Sequence, residues 1–219
     1  MMDLRPDDLP AKLHLLPLDR FILLPGTRLP VTFAAPWARA IIEAALAAGG
    51  YVGVVQPEDG QRQPASRCFS VGCLARLHDE GREAEGRRVS LEGVIRFRAV
   101  DGLTALDRDP LAPVAVAYDE FLRDLEPGSD APEEYKMEAF RDKMLDLAHR
   151  KLGGAGLLET MSPRQIILFM AQAAPLSPAE KQALLETHGL QELIDTLALL
   201  LSLNYLTTTP DTSPPSVVN

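Results

Sequence analysis

The apolar residues change period near residue 125. Before it, apolar and polar residues alternate in short runs, as strands do. After it, they recur every three or four positions, as helices do. A chain of this kind folds as α+β, with strands first and helices second. Residues 126–132 (Glu-Pro-Gly-Ser-Asp-Ala-Pro) form a turn-rich join. From Thr207 to Asn219 the chain holds only Thr, Ser, Pro, Val, Asp and Asn, a composition that predicts a disordered tail.

In the first half, Val89, Leu91, Ile95 and Phe97 share one parity, and Arg88, Ser90, Glu92, Arg96 and Arg98 share the other. Side chains alternate faces along a strand, so this segment is half buried, and Ile95 and Phe97 contribute about 1.5–3 kcal/mol each. Phe69, Val71, Cys73, Ala75 and Leu77 form a second alternating run, and residues 81–86, polar and bounded by Gly, read as the hairpin loop between them. Residues 51–55 and 114–121 are further short strands, and Pro25-Gly26 is a turn pair. One helix interrupts the strands: Pro36 suits its first turn, residues 38–48 favour helix, and Gly49-Gly50 stops it.

In the second half, Glu133 and Glu134 open a helix closed by Arg150 and Lys151, with Met137, Phe140, Met144 and Leu147 as its apolar stripe. Ser162-Pro163-Arg164-Gln165 and Ser177-Pro178-Ala179-Glu180 are capping boxes with Pro at the first helical position. The last helix, residues 191–206, is apolar nearly all round, as expected of a bundle centre or of a helix that covers a partner.

Chemistry-bearing patterns are few. Residues 81–88 read G-x-x-x-x-G-R-R, but a phosphate-binding loop needs Lys and then Ser or Thr, and a strand-loop-helix around them. Cys68, Cys73 and His78 are possible metal ligands. Their odd spacing alternates faces on a strand, so the plainer reading is two small thiols and a surface histidine, with no metal. G-x-S-x-G, H-E-x-x-H and G-x-G-x-x-G are all lacking. No catalytic residue and no cofactor is expected. Arg88, Arg96 and Arg98 form the one local basic stripe, either a solvated sheet face or an anchor for acidic groups on a partner. Trp37, the only tryptophan, starts a helix, where it packs as core or stays half exposed as a binding anchor.

Composition narrows the partners. The net charge of −9 repels phosphate backbones, and 5% aromatics leave little to stack on bases, so nucleic acid is an unfavoured ligand. No run of about 18 apolar residues exists to span a membrane. Residues 1–10 carry three aspartates and no apolar stretch, unlike a secretory signal. With two cysteines, a reducing cytoplasm is the expected compartment.

Several segments, in order, resemble the amino-terminal substrate-binding domain of the Lon protease family. They are Leu15-Leu16-Pro17-Leu18, residues 24–31 (LPGTRLPV), 71–77 (VGCLARL), 91–98 (LEGVIRFR) and 175–186 (PLSPAEKQALLE). The resemblance runs from about Leu13 to Leu206. It implies a six-stranded pseudo-barrel of the PUA-like type with one short helix over 12–125, then a helical bundle over 130–206. It also implies a non-catalytic role, binding unfolded or specific polypeptide, since the Walker and Ser-Lys peptidase motifs of full-length Lon-type proteases do not follow. Many stand-alone members carry F-E-P-R-Y at the strand-to-helix junction; here Ala34-Ala35-Pro36-Trp37-Ala38 keeps only the proline.

Three functions are therefore in play. The first is a polypeptide-binding adaptor or chaperone-like module, for which Trp37, Arg88, Arg96 and Arg98 are the candidate contacts. It predicts an apolar groove or patch near the junction of barrel and bundle. The second is a PUA-like nucleic-acid binder, and the third is a small enzyme with a site assembled from distant residues. The oligomeric state is not legible in the sequence.

Overall fold

A computed structural model describes residues 5–58, 67–83, 86–100, 103, 109–126, 137–142 and 160–207. The expected join beyond Glu126, most of the helix expected over 133–151, and the tail from 208 onward lie outside the described residues. Of that helix, residues 137–142 are helical and Phe140 is buried.

Seven strands make one sheet: β1 (Lys12–Leu13), β2 (Leu15–Pro17), β3 (Arg28–Phe33), β4 (Tyr51–Val55), β5 (Val71–Glu83), β6 (Gly86–Ala99) and β7 (Val114–Ala117). Their order is β1-β7-β6-β5-β4-β2, with β3 also on β6. The expected six-stranded pseudo-barrel is corrected on two points: there is one strand more, and the pairing does not close. β1 runs antiparallel to β7, and β2 runs parallel to β4. The two end strands are thus successive pieces of chain joined covalently through His14, and the break there replaces a closing ladder.

The β5–β6 hairpin is longer than the sequence suggests. The residues read as a loop are mostly ladder, with Gly81 opposite Arg88 and Glu83 opposite Gly86. Gly81, with φ +106°, follows a register shift at Asp79 and lets the strand continue past the extra residue. A second shift places Ala75 opposite Gly93 and Leu74 opposite Ile95, leaving Val94 extra. One extra residue reverses the face that later side chains take. The apolar set of β6 is therefore split. Val89 and Leu91 pack under helix α1 (Pro36–Ala47), with its Ala38, Ile41, Ile42 and Ala45, while Ile95 and Phe97 belong to a second core. The Phe97 ring needs glycines around it: a Cβ on Gly72 would stand 2.6 Å from it, and one on Gly53 2.9 Å.

β7 stops at Ala117 rather than continuing to Phe121, and a 3-10 turn covers Asp119–Leu125. That turn carries Glu120 and Asp124 to Arg98 and Arg96. Beyond residue 160 the described helices are α2 (Pro163–Ala173), α3 (Pro178–Leu185) and α4 (Leu190–Thr207). Ser162 and Ser177 cap α2 and α3 by the reciprocal bonds expected of them. The buried residues of these helices share one apolar cluster with Leu13, Leu74, Ile95 and Phe97, so the helices pack on the sheet as well as on each other. Of α4, Leu193, Ile194, Leu197 and Leu201 face inward, whereas Leu199 and Leu203 are 57% and 49% exposed.

The seam between helices and sheet is tied by side chains. Gln56 donates to the Pro178 carbonyl at 2.6 Å, Gln182 to the Val71 carbonyl at 3.1 Å, and Gln172 to the Thr27 hydroxyl at 2.8 Å. Lys181, nearly fully buried, donates to the Gln172 carbonyl at the end of α2, where a cation is favoured. Loss of water around it lowers its pKa.

Candidate functional site

The sheet face opposite α1 changes character along β5 and β6. One part, with Leu74, Ile95 and Phe97, lies in the core shared with α2–α4. Beyond it the same face turns polar. Register puts Tyr51, Arg76, Glu92 and Arg28 in one row across β4, β5, β6 and β3, and His78 beside it opposite Ser90. Glu92 Oε2 accepts from His78 Nε2 at 2.6 Å and from Arg28 Nη2 at 3.3 Å. The hydrogen bond from His78 holds the Glu92 carboxyl below the usual carboxylate range; Arg28 adds to this and partial burial opposes it. Arg76 donates to the Tyr51 hydroxyl at 2.9 Å, with its guanidinium 5.6 Å from the ring centroid.

On the other side of β3 lies an apolar margin. Leu18, Phe21, Leu29, Val31, Ala35 and Trp37 pack against the core beneath α1 without being fully covered. Trp37 is there because β3 runs almost directly into α1, with Pro36 at the first helical position. It is half buried, the half-exposed of the two places its sequence position allowed rather than the core one. Along β3, exposed residues (Arg28, Pro30, Thr32) alternate with partly or fully buried ones (Leu29, Val31, Phe33).

The three arginines of the expected stripe do not share a face, since the extra residue at Val94 separates Arg88 from the other two. Arg88 Nε binds Glu80 at 2.8 Å, and both are substantially exposed. Arg98 forks onto both Glu120 oxygens at 2.8 Å. This bond raises its pKa and lowers that of Glu120. Arg96 is buried: it holds Asp124 with Nε and Nη2 at 2.9 and 2.7 Å, and the carbonyls of Leu185 and Thr187 with Nη1. The Phe121 ring lies 4.9 Å from its guanidinium. Cys68 and Cys73 are buried and form no disulfide, and burial, aided by Asp124, pushes the Cys73 thiol up. His78 is engaged by Glu92. Among the described residues no three metal-ligating side chains converge, and no helix is long and apolar enough to cross a membrane. Sequence reasoning did not group Tyr51, Arg76 and Arg28, because they come from three strands whose order it could not supply. The available signal was that Arg76 and His78 share the parity opposite the buried run of β5.

Comparison with known proteins accords with this architecture. The family model described as the ATP-dependent protease La (LON) substrate-binding domain matches residues 12–202. Lon protease 1 of Sorangium cellulosum (strain So ce56) is 27% identical over 201 residues, which are 85% of this chain and 24% of that protein. Lon protease 4 of the same organism is 35% identical over 85 residues, 38% of this chain and 10% of that protein. The chain therefore spans a quarter or less of these relatives, and the match covers their substrate-binding region without the protease or ATPase domains. Among solved structures, the N-terminal domain of Mycobacterium avium complex Lon protease superposes with a TM-score of 0.60 at 22% identity, covering 87% of this chain and 98% of that one. The Lon N-terminal domain protein from Xanthomonas campestris gives 0.53, also at 22% identity, covering 88% and 98%. With a family model matching nearly the whole chain and the same fold in both structures, this chain belongs to the Lon substrate-binding domain family.

Proposed function

We propose that this chain is a non-catalytic polypeptide-binding module, acting as a cytoplasmic adaptor or chaperone-like protein, with the units at 12–125 and 130–206 forming one platform. The observation that carries the reading is the incompletely covered apolar margin around Trp37 and β3. A large aromatic held by its neighbours, with an apolar surround that is neither core nor fully wet, is what an extended apolar segment can desolvate. The strand beside it offers the alternating pattern that such a segment matches. Trp37 is the anchor in this reading. Arg88 and Arg98, on exposed ion pairs, provide polar contacts at the periphery, and Arg96 supports the platform from within. Nucleic acid fits less well, because five strand arginines (Arg28, Arg87, Arg88, Arg96 and Arg98) are already matched to carboxylates of this chain.

The test is fluorescence anisotropy of a labelled, permanently unfolded polypeptide titrated with the protein, with a structured RNA beside it at the same salt. Saturable binding of the polypeptide alone is expected, weakened about 10-fold or more by Trp37→Ala, as for a central aromatic anchor. Absence of saturable binding, or a Trp37→Ala variant that binds equally well, overturns the reading.

A further inference from the structure

The polar half of the sheet face holds one arginine unlike its neighbours. Arg28, Arg87, Arg88, Arg96 and Arg98 each have a carboxylate. Arg76 does not: among the described residues its partner is the Tyr51 hydroxyl, with the Tyr51 ring beneath it. It is half buried, so its charge is partly stripped of water without compensation from an anion. One guanidinium N–H is used on Tyr51, and the rest of the fork remains to bind a planar, doubly accepting group. Tyr51 accepts from Arg76 and keeps its own O–H to donate. Next to Arg76 in the row is Glu92, but that carboxylate is engaged by His78 on the same strand as Arg76 and by Arg28 on β3. Arg28 is 59% exposed, held by a 3.3 Å bond to Glu92 and a 3.5 Å contact with His78 Nε2. Two guanidinium groups and a histidine thus face one carboxylate, on a protein whose net charge is −9.

We propose that Arg76, seated on Tyr51 with His78 two residues further along β5, binds an acidic side chain of an extended polypeptide. The occupant follows from charge and shape. A carboxylate accepts two parallel bonds from the Arg76 fork and a third from Tyr51, and it adds a second negative charge to a row that sets two arginines against one carboxylate. A backbone carbonyl or a neutral amide offers no such charge. The inference rests on the polypeptide-binding reading and adds to it a selectivity: apolar segments carrying glutamate or aspartate are preferred over neutral ones. The preference runs against the overall field of the protein, which repels acidic chains, so any preference observed is local in origin.

The experiment uses the full chain and two labelled synthetic polypeptides of alternating apolar and polar residues, both amidated at the C-terminus. One carries glutamates at its polar positions, the other glutamines. Anisotropy titrations at fixed ionic strength read the ratio of their dissociation constants. The expected ratio for the wild type is about 5-fold in favour of glutamate, in line with one partly exposed charge-assisted contact, and it shrinks as salt is added. Arg76→Gln brings the ratio to about 1, and Arg76→Lys, which keeps the charge without the fork, leaves it in between. Trp37→Ala weakens both polypeptides alike and leaves the ratio standing. Equal affinity of the wild type for the two polypeptides, or a preference that survives Arg76→Gln, overturns the proposal while the polypeptide-binding reading stands. If the wild type binds neither, that reading itself falls.

Discussion

Arg96 shows how much one residue's surroundings decide. In the sequence it stands in a basic stripe with Arg88 and Arg98. In the fold it is buried, four of its N–H···O bonds ending on Asp124 and on the carbonyls of Leu185 and Thr187. Removing one partner of such a pair leaves a charge or two carbonyls without compensation. Arg96→Met is expected to lose about 3–5 kcal/mol in urea melts. Losses for Arg96→Met and Asp124→Asn should not add in the double variant, since both break the same interaction. Glu92 allows a prediction with pH. Its carboxyl titrates below the ordinary 4.5 in the folded protein, so the ionised form favours folding. That contribution is fully present above 4.5 and disappears as the pH falls through the folded value. The stability difference between wild type and Glu92→Gln is therefore expected to be constant from neutral pH down to about 5 and to vanish at more acid pH. A difference that grows on acidification would contradict the assignment.

At the scale of elements, the parts that could be read in advance are those whose cause is local. The capping boxes at Ser162 and Ser177 need only three neighbouring residues, and both form as expected. Ser177→Ala is expected to lower stability by about 1 kcal/mol, seen as a lower urea midpoint at unchanged slope. The α1 boundaries were legible in Pro36 and in Gly49-Gly50, which take φ +113° and +80°. The extra residues in the β5–β6 hairpin were not, because nothing within β6 marks Val94: the bulge exists through pairing with β5. Gly72 is similar. It looks like an ordinary strand glycine, yet a Cβ there meets both the Val54 carbonyl at 2.5 Å and Phe97 at 2.6 Å. Gly72→Ala is expected to cost about 1–3 kcal/mol by overpacking, and Gly26→Ala to act by another route, through its φ of +79° in open space.

Among the described residues one apolar cluster runs from Leu13 through Phe97 to Leu201 and joins sheet to helices, and a second lies beneath α1. Sheet and helices are accordingly expected to unfold together, with near-UV and far-UV signals superimposing in urea; a helical transition that precedes the sheet would show that the seam bonds from Gln56, Gln182 and Arg96 are weaker than the cluster they border. The candidate site belongs to this scale, because it joins four strands. Trp37 was singled out from the sequence as the lone tryptophan at a helix start, and the fold leaves it half buried. Tyr51, Arg76, Glu92 and Arg28 lie up to 64 residues apart and meet only through strand order. Residue chemistry and short-range periodicity, acting through bonds within a turn or two, were enough to determine the order of strands first and helices second and the helix caps and turns, while the resemblance of segments in sequence order pointed to the family. Only the tertiary structure decided which arginine is buried, which is paired and which still faces water without a carboxylate. Those outcomes depend on register and burial, and both are set by residues far apart in the chain.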